Sequence, residues 1–423
     1  MIIDKSRFIF RELDGLLFDK ENYIYHELNQ TATDIISHIF TYGFDDGCIQ
    51  LTQLYDEDRQ TIEKDAIDLW NNITEKKYSQ QCKSHGGLLE SLFNIRFKFP
   101  LALELEVTKA CNCDCSFCYN TWKGENNYVH NITPSPHMPI GVLTKILEEA
   151  ANSNCFRIRI SGGESILHPQ WQKIAEILSN TNTHNAIFTN GIYIPDRIKT
   201  LKRAYNEILI SLHGNELTHN HLVKNNDGYK TSLEAIKVSL DHIPSVIVET
   251  LLHPDVVPTL EHLAGVLNQS GIIEWRLMPY IPTNQHSTKF IGVNMFSVVQ
   301  KIQSIKERIP NLNIRVPCSP RHCLSEAPEI LTGESYVALD NHCGAGVDWM
   351  AVSYDGSFKF CPHSNTSFGR VEETSITEAW DTMRPVVIDA LMPSGVCGAC
   401  KEFSLCRKGC HLVLVDNAKP ILK

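Results

Sequence analysis

Between Leu101 and Met278 six short apolar runs recur, each ending in a turn and leading into apolar residues spaced three and four apart. The runs are LELEV (103–107), FRIRI (156–160), AIFT (186–189), ILIS (208–211), VIVET (246–250) and IEWRLM (273–278). Helical spacing is found between them at Ile140–Asn152, Gln172–Asn180, Ser232–Asp241 and Thr259–Gln269. A strand that must pair with a parallel neighbour has to cross back over its sheet, so this repetition predicts parallel strands with right-handed helical crossovers. Six units are fewer than the eight that close a barrel. The expected fold class is therefore α/β, a partial (βα)6 TIM-like barrel with its chemistry at the carboxyl ends of the strands.

The rhythm differs on both sides of this region. FIFRELDG, LLFD and YIYHEL read as three strands separated by turns at Asp14–Gly15 and Asp19–Asn22, because aromatic and β-branched residues alternate between turn formers. Thr31–Phe40 and Arg59–Ile73 then carry helical spacing, as in Ile62, Ala66, Leu69 and Ile73. This predicts a small α+β module over residues 1–82, ahead of a barrel domain at 95–310. From about Asn311 the pattern is irregular and cysteine-rich, and metal is expected to replace a core there, giving a third domain at 311–423.

Composition narrows the function classes. With 423 residues, 43% hydrophobic and 21% charged, two or three folded units are expected. Charged residues interrupt the opening MIIDKSRFIFRELDG, so it lacks the apolar stretch of a signal peptide, and no later run approaches a membrane span. The expectation is a cytoplasmic protein with no membrane partner. Net charge is −10, and residues 1–78 hold 16 acidic against 8 basic side chains, which disfavours any nucleic acid as partner. The 15 cysteines would remain thiols in a reducing compartment, and most lie in two tight groups, a pattern that suggests metal.

The first group follows the first barrel strand in VTKACNCDCSFCYN, where Cys111, Cys115 and Cys118 have the spacing C-x3-C-x2-C. Three thiolates hold three irons of a cubane and leave the fourth open to a ligand. A structural zinc site would usually show two well-separated pairs. Cys113 offers a fourth thiol in the same loop, although four sulfurs within eight residues are cramped. At the ends of later strands stand Ser161-Gly162-Gly163-Glu164, Thr189-Asn190-Gly191 and Ser211-Leu212-His213-Gly214. Glycines there allow a ligand to meet the backbone closely, and a carboxylate or carbonyl accepts from an ammonium group.

Over residues 101–310 these motifs resemble the radical S-adenosylmethionine (radical SAM) superfamily, whose cysteine loop carries an aromatic before the third cysteine, here Phe117. The resemblance implies a [4Fe-4S] cluster on Cys111, Cys115 and Cys118 whose open iron chelates S-adenosyl-L-methionine. One electron then cleaves the sulfonium to methionine and a 5′-deoxyadenosyl radical. It also implies that Gly162, Gly163 and Glu164 hold the methionine ammonium, with Asn190, Ser211 and Phe117 completing the cofactor site. Cys113 is read as a free thiol. His213 departs from the aspartate common in related enzymes, so a proton carrier and a structural hydrogen-bonder both remain open. Arg276 is read either as a partner for a carboxylate or as a cap on the barrel rim. No residue is assigned to catalysis.

In the tail, twelve residues separate Cys343 from Gly356 and four separate Gly356 from Cys361, and Cys397, Cys400, Cys406 and Cys410 form C-x2-C-x5-C-x3-C. This resembles the SPASM domain, which adds auxiliary iron–sulfur clusters to peptide-modifying members of the superfamily. The resemblance groups Cys343, Cys361 and Cys410 for one auxiliary [4Fe-4S] cluster and Cys397, Cys400 and Cys406 for another, each short of one ligand. Either Cys318 and Cys323 complete both, or Cys323 completes the first while Asp416, His411 or substrate occupies the second. A zinc ribbon is the alternative for the C-x2-C pair.

The segment from Phe8 to Ile39 resembles the precursor-recognition domains of ribosomal peptide (RiPP) maturation, of the pyrroloquinoline quinone chaperone type, with helices of winged-helix type. Such a module binds a leader peptide as an added strand. Together the resemblances imply a radical SAM oxidoreductase that modifies a precursor peptide, installing a thioether or carbon–carbon cross-link, with a flavodoxin or ferredoxin-type reductant as a second partner. The rival readings are an anaerobic protein maturase or a maker of a peptide-derived quinone cofactor. A reading of another class is a peptide-binding, redox-sensing iron–sulfur protein.

Overall fold

The structure is a computed structural model and describes residues 4–21, 24–75, 97–119, 136–280, 293–317, 343–392, 395–399, 409–410 and 412. The chain divides into two compact units, residues 1–99 with 150–156, and residues 100–149 with 157–423.

In the first unit β1 (Phe8–Arg11), β2 (Leu16–Asp19) and β3 (Ile24–Glu27) form an antiparallel sheet in chain order, followed by α1 (Gln30–Tyr42), α2 (Phe44–Tyr55) and α3 (Arg59–Glu75). Asn29 caps α1 by accepting from the Ala32 N–H. Phe8, Leu17, Ile36, Trp70 and Ile73 make one core cluster and Ile35, Ile39, Cys48, Leu51, Ile62 and Ala66 another. Helix α2 is absent from the sequence reading because Gly47 and two aspartates interrupt its apolar pattern. That glycine is a packing device, since a Cβ there would stand 3.0 Å from the carbonyl of His38 on α1.

The second unit is built on a nine-stranded sheet in the order β10-β9-β8-β7-β6-β5-β4-β11-β12. The strands β4 (Ala102–Thr108), β5 (Arg157–Gly162), β6 (His184–Thr189), β7 (Glu207–Ser211), β8 (Ser245–Leu252), β9 (Glu274–Pro279) and β10 (Asn313–Arg315) run parallel in chain order. Between them lie α4 (Ile140–Asn152), α5 (Trp171–Ser179), α6 (Ile194–Ala204), α7 (Glu216–Val223), α8 (Gly228–Leu240), α9 (Leu260–Ser270) and α10 (Met295–Arg308). Right-handed crossovers along a sheet laid down in one direction place every helix on one face.

That helical face is apolar, with Leu103, Leu105, Val107, Ile158, Ile160, Ile208 and Ile210 at most 1% exposed. The other face alternates with it and carries Glu104, Glu106, Arg157, Arg159, Glu207, Glu249 and Arg276. Strands of a parallel sheet usually read as continuous apolar runs. These alternate because the interior face is lined with charge.

The region after residue 311 is more regular than its sequence suggests. β10 extends the sheet at one edge. At the other, β11 (Trp349–Val352) pairs parallel to β4 and antiparallel to β12 (Phe358–Lys359). Helix α11 (Ile376–Leu391) begins with a capping box between Ser375 and Glu378, and Glu149 of α4 accepts from the Ile376 and Thr377 N–H groups at 3.1 Å. β11 was hidden in sequence because its parallel partner β4 lies more than 240 residues away, and β12 because it is only two residues long. Among the described residues, no helix is long and apolar enough to cross a membrane.

Candidate active site

The loop after β4 is anchored from four directions. From β5, the Gly163 N–H donates to the Thr108 carbonyl and the Glu164 N–H to the Ala110 carbonyl, both at 2.7 Å. A Cβ on Gly163 would lie 2.3 Å from the Ala110 oxygen, and one on Gly162, whose φ is +134°, 2.4 Å from the Thr108 oxygen. The two glycines are needed for this backbone contact, whatever else they bind. From β6, Asn190 donates Nδ2–H to Asn112 Oδ1 at 2.6 Å. From α7, the Leu222 carbonyl accepts from the Ser116 N–H at 3.0 Å, and Lys224 pairs with Asp114 at 2.8 Å. From the end of β7, the His213 ring meets Phe117 edge-on with centroids 4.8 Å apart.

The four thiols of the loop differ in burial. Cys113 is 6% exposed and lies 3.6 Å from Asn190 Nδ2. Cys111, Cys115 and Cys118 are half-buried. Burial pushes the Cys111 thiol up to about 12, and the charges of Glu164, Cys115 and Cys118 add to the rise. Ligation of a metal there would require the thiolate, so a bound cation would have to offset this rise. Among the described residues no three His, Cys, Asp or Glu side chains converge tightly enough to hold a single metal ion. Each cysteine of a cubane holds its own iron, which lets its sulfurs stand further apart.

Glu164 links strand ends through its side chain. The carboxylate accepts from the Thr189 hydroxyl at 2.9 Å and the Asn190 N–H at 2.8 Å, and burial raises it to about 7 against these donors. Ser211 is half-buried at the end of β7, opposite Glu249. For His213 the structure favours the hydrogen-bonding role. Its Nδ1 accepts from the Leu251 N–H at 3.1 Å, and burial, with His219 and His253 nearby, holds the ring well below its usual range and thus neutral. Arg276 pairs with Glu274 at 2.9 Å and faces Glu249 at 3.8 Å, so its carboxylate partners belong to the sheet itself.

The cysteines of the tail are distributed as follows. Cys361 is pushed well above its usual range by burial, and the charges of Cys343 and Cys410 add to the rise. Cys397 is on the short 3-10 turn Gly395–Ala399. Cys318, Cys323, Cys400 and Cys406, with His411 and Asp416, lie outside the described residues.

Two interior carboxylates escaped the sequence reading, although the alternation in LELEVT was the available signal. Glu104 accepts from Ser161 at 3.1 Å. Glu106 accepts from Ser353 at 3.0 Å through one oxygen, while its Oε1 is buried with no hydrogen-bond partner among the described residues. Burial lifts Glu106 to about 7. Lys359 opposes the rise, while Glu104 and Asp355 add to it. A carboxyl raised on folding binds protons more tightly in the native state, so its contribution to stability is full below about 4.5 and lost as pH rises through 7. Glu106→Gln is therefore expected to gain about 3 kcal/mol over the parent between pH 5 and pH 8. Denaturant unfolding at the two pH values checks this, and an equal difference at both would refute it.

Residues 105–264 match the family model "Radical SAM superfamily". The matched segment runs from strand β4 into helix α9. The chain is similar to the sporulation killing factor maturation protein SkfB of Bacillus subtilis, 26% identical over 155 residues, which is 36% of either chain. The alignment thus spans about a third of that relative. It is also similar to the mycofactocin maturase MftC of Mycobacterium tuberculosis, 21% identical over 346 residues, covering 76% of this chain and 81% of that one. In fold it is similar to Streptococcus suis SuiB bound to its precursor peptide SuiA, with TM-score 0.69, 16% identity and coverage of 96% and 95%.

Proposed function

We propose that this chain is a radical SAM maturase that modifies a ribosomally made precursor peptide and installs a thioether or carbon–carbon cross-link. The observation that carries the reading is the loop after β4, which sets Cys111, Cys115 and Cys118 half-buried at the carboxyl ends of a parallel sheet and buries Cys113 beside Asn190. SkfB is a maturation protein and MftC a maturase, and the similarity to peptide-bound SuiB supports a peptide partner. A [4Fe-4S] cluster on the three thiolates with S-adenosyl-L-methionine on its open iron would supply a 5′-deoxyadenosyl radical for hydrogen abstraction.

The chain's own residues divide the remaining work. Gly162 and Gly163 hold the cysteine loop against the strand ends, Asn190 and Glu164 lock β5 and β6 beside it, and Phe117 braces it against His213. Cys343, Cys361 and Cys410 hold an auxiliary cluster, and Cys397, Cys400 and Cys406 a second, completed by Cys323 and Cys318, or by Cys323 on the first and Asp416, His411 or substrate on the second. Residues 1–82 bind the leader, 95–310 carry the radical chemistry and 311–423 carry the auxiliary clusters. A flavodoxin or ferredoxin-type protein supplies electrons.

The test is anaerobic. The reconstituted protein is incubated with S-adenosyl-L-methionine, dithionite and short peptides encoded beside its gene. A peptide product lighter by two hydrogen atoms per cross-link, formed with 5′-deoxyadenosine, is expected. Cofactor cleavage with every peptide unchanged would refute the maturase reading. A chain shortened to begin at Leu101 should bind the peptide at least about tenfold more weakly, since a strand added to a sheet contributes main-chain hydrogen bonds of about 1 kcal/mol each.

A further inference from the structure

His363 follows Cys361 by two residues, and its Nδ1 stands 3.6 Å from the Cys361 sulfur. On its other contact the imidazole lies against the ring of Tyr119, with centroids 4.0 Å apart and planes inclined by 30°. Tyr119 is the residue immediately after Cys118. One side chain therefore touches a sulfur of the tail group and stacks on the neighbour of a sulfur in the radical SAM loop.

The chemistry of the contact sets its direction. A cysteine that ligates iron is a thiolate, which accepts hydrogen bonds and cannot donate them, so a bond here requires the imidazole proton on Nδ1. The stack on Tyr119 fixes the plane of the ring and hence the aim of that N–H. Hydrogen bonds to cluster sulfurs are among the levers by which a protein sets reduction potential, because a donor dipole stabilises the extra negative charge of the reduced state.

We propose that His363 is a positioning residue which raises the reduction potential of an iron–sulfur cluster on Cys343, Cys361 and Cys410, donating Nδ1–H to the Cys361 sulfur while braced on Tyr119. The inference rests on the reading of those cysteines as cluster ligands. The step it assists is uptake of one electron: a one-electron donor is oxidised, the cluster is reduced, no proton moves and no bond to the protein breaks. A raised potential suits a cluster that accepts an electron from a modified substrate.

The experiment is an anaerobic redox titration of the reconstituted full-length chain followed by electron paramagnetic resonance, using dithionite as reductant and iron and sulfide counts as a first readout. His363→Phe keeps an aromatic surface for Tyr119 and removes the donor. His363→Asn places an amide N–H close to the position of Nδ1. The expected result is unchanged iron content, one signal moved to lower potential in H363F, and most of that shift recovered in H363N. The signal that responds to S-adenosyl-L-methionine, from the cluster in the Cys111 loop, should not move. Unchanged potentials in H363F with full iron would overturn the role given to His363. Should H363F lose iron, H363N decides: full iron at the parent potential supports the proposal, and full iron at a lowered potential overturns it. A Cys361→Ala protein that keeps every iron would instead sink the ligand reading on which the inference stands.

Discussion

Cys115→Ala is expected to reduce 5′-deoxyadenosine formation to background and to remove about four irons per chain. The size of the effect follows from the division of labour in the loop. Each of the three thiols is read as holding its own iron, and loss of one leaves a cubane with two protein ligands. Cys113 cannot take the place of the missing thiol, because it is buried and held by Asn190. Cys113→Ala should therefore retain cleavage within a few-fold, and the pair of variants separates a radical enzyme from a peptide-binding protein in which the cysteines only maintain the fold. Iron and 5′-deoxyadenosine measured together check both. Cleavage that survived in C115A, or that disappeared equally in C113A, would break the assignment.

The second large effect is expected from Gly163→Ala, a change of one methyl group on a residue whose backbone packs against the cysteine loop. Its Cβ would lie 2.3 Å from the Ala110 oxygen and 2.6 Å from the Lys109 oxygen, both backbone atoms that move only if the cysteine loop moves. Forcing them apart also strains the 2.7 Å hydrogen bonds from the Gly163 and Glu164 N–H groups. Overpacking costs about 1–3 kcal/mol, and each lost hydrogen bond about 1 kcal/mol, so the total is on the order of 3–5 kcal/mol. Cluster retention should fall with stability, since the displaced backbone carries Cys111. Gly265→Ala is the control, because an added Cβ there meets no atom within 4 Å and a helix-interior alanine gains about 1 kcal/mol over glycine. Chemical denaturation with iron analysis is the measurement, and a G163A protein as stable as its parent would show that the loop can yield.

Both predictions depend on a site that was partly legible in the sequence. The cysteine spacing, the Gly-Gly-Glu triplet and the later strand-end motifs could be placed because each lies within a few residues of a strand whose apolar pattern identifies it. The partners that anchor them could not. Leu222 reaches Ser116 across 106 positions, and Ser353 reaches Glu106 across 247. Neither contact leaves a periodic trace, because a single hydrogen-bonding side chain or carbonyl carries no pattern along the chain.

The sequence by itself determined the parallel α/β architecture, the order of its six central strands and the loops that carry the candidate chemistry. These follow from local patterning: the period of apolar residues selects strand or helix, and the alternation of the two selects crossover topology. Tertiary structure alone decided that Cys113 is buried beside Asn190 while its three neighbours are half-buried, that Glu164 binds strand ends together and that β11 and β12 complete the sheet beside β4. It also decided that His363 lies between the Cys361 sulfur and the ring of Tyr119. Each of these depends on burial and on contacts between residues far apart in the chain, and such contacts exist only once folding has brought the backbone segments together.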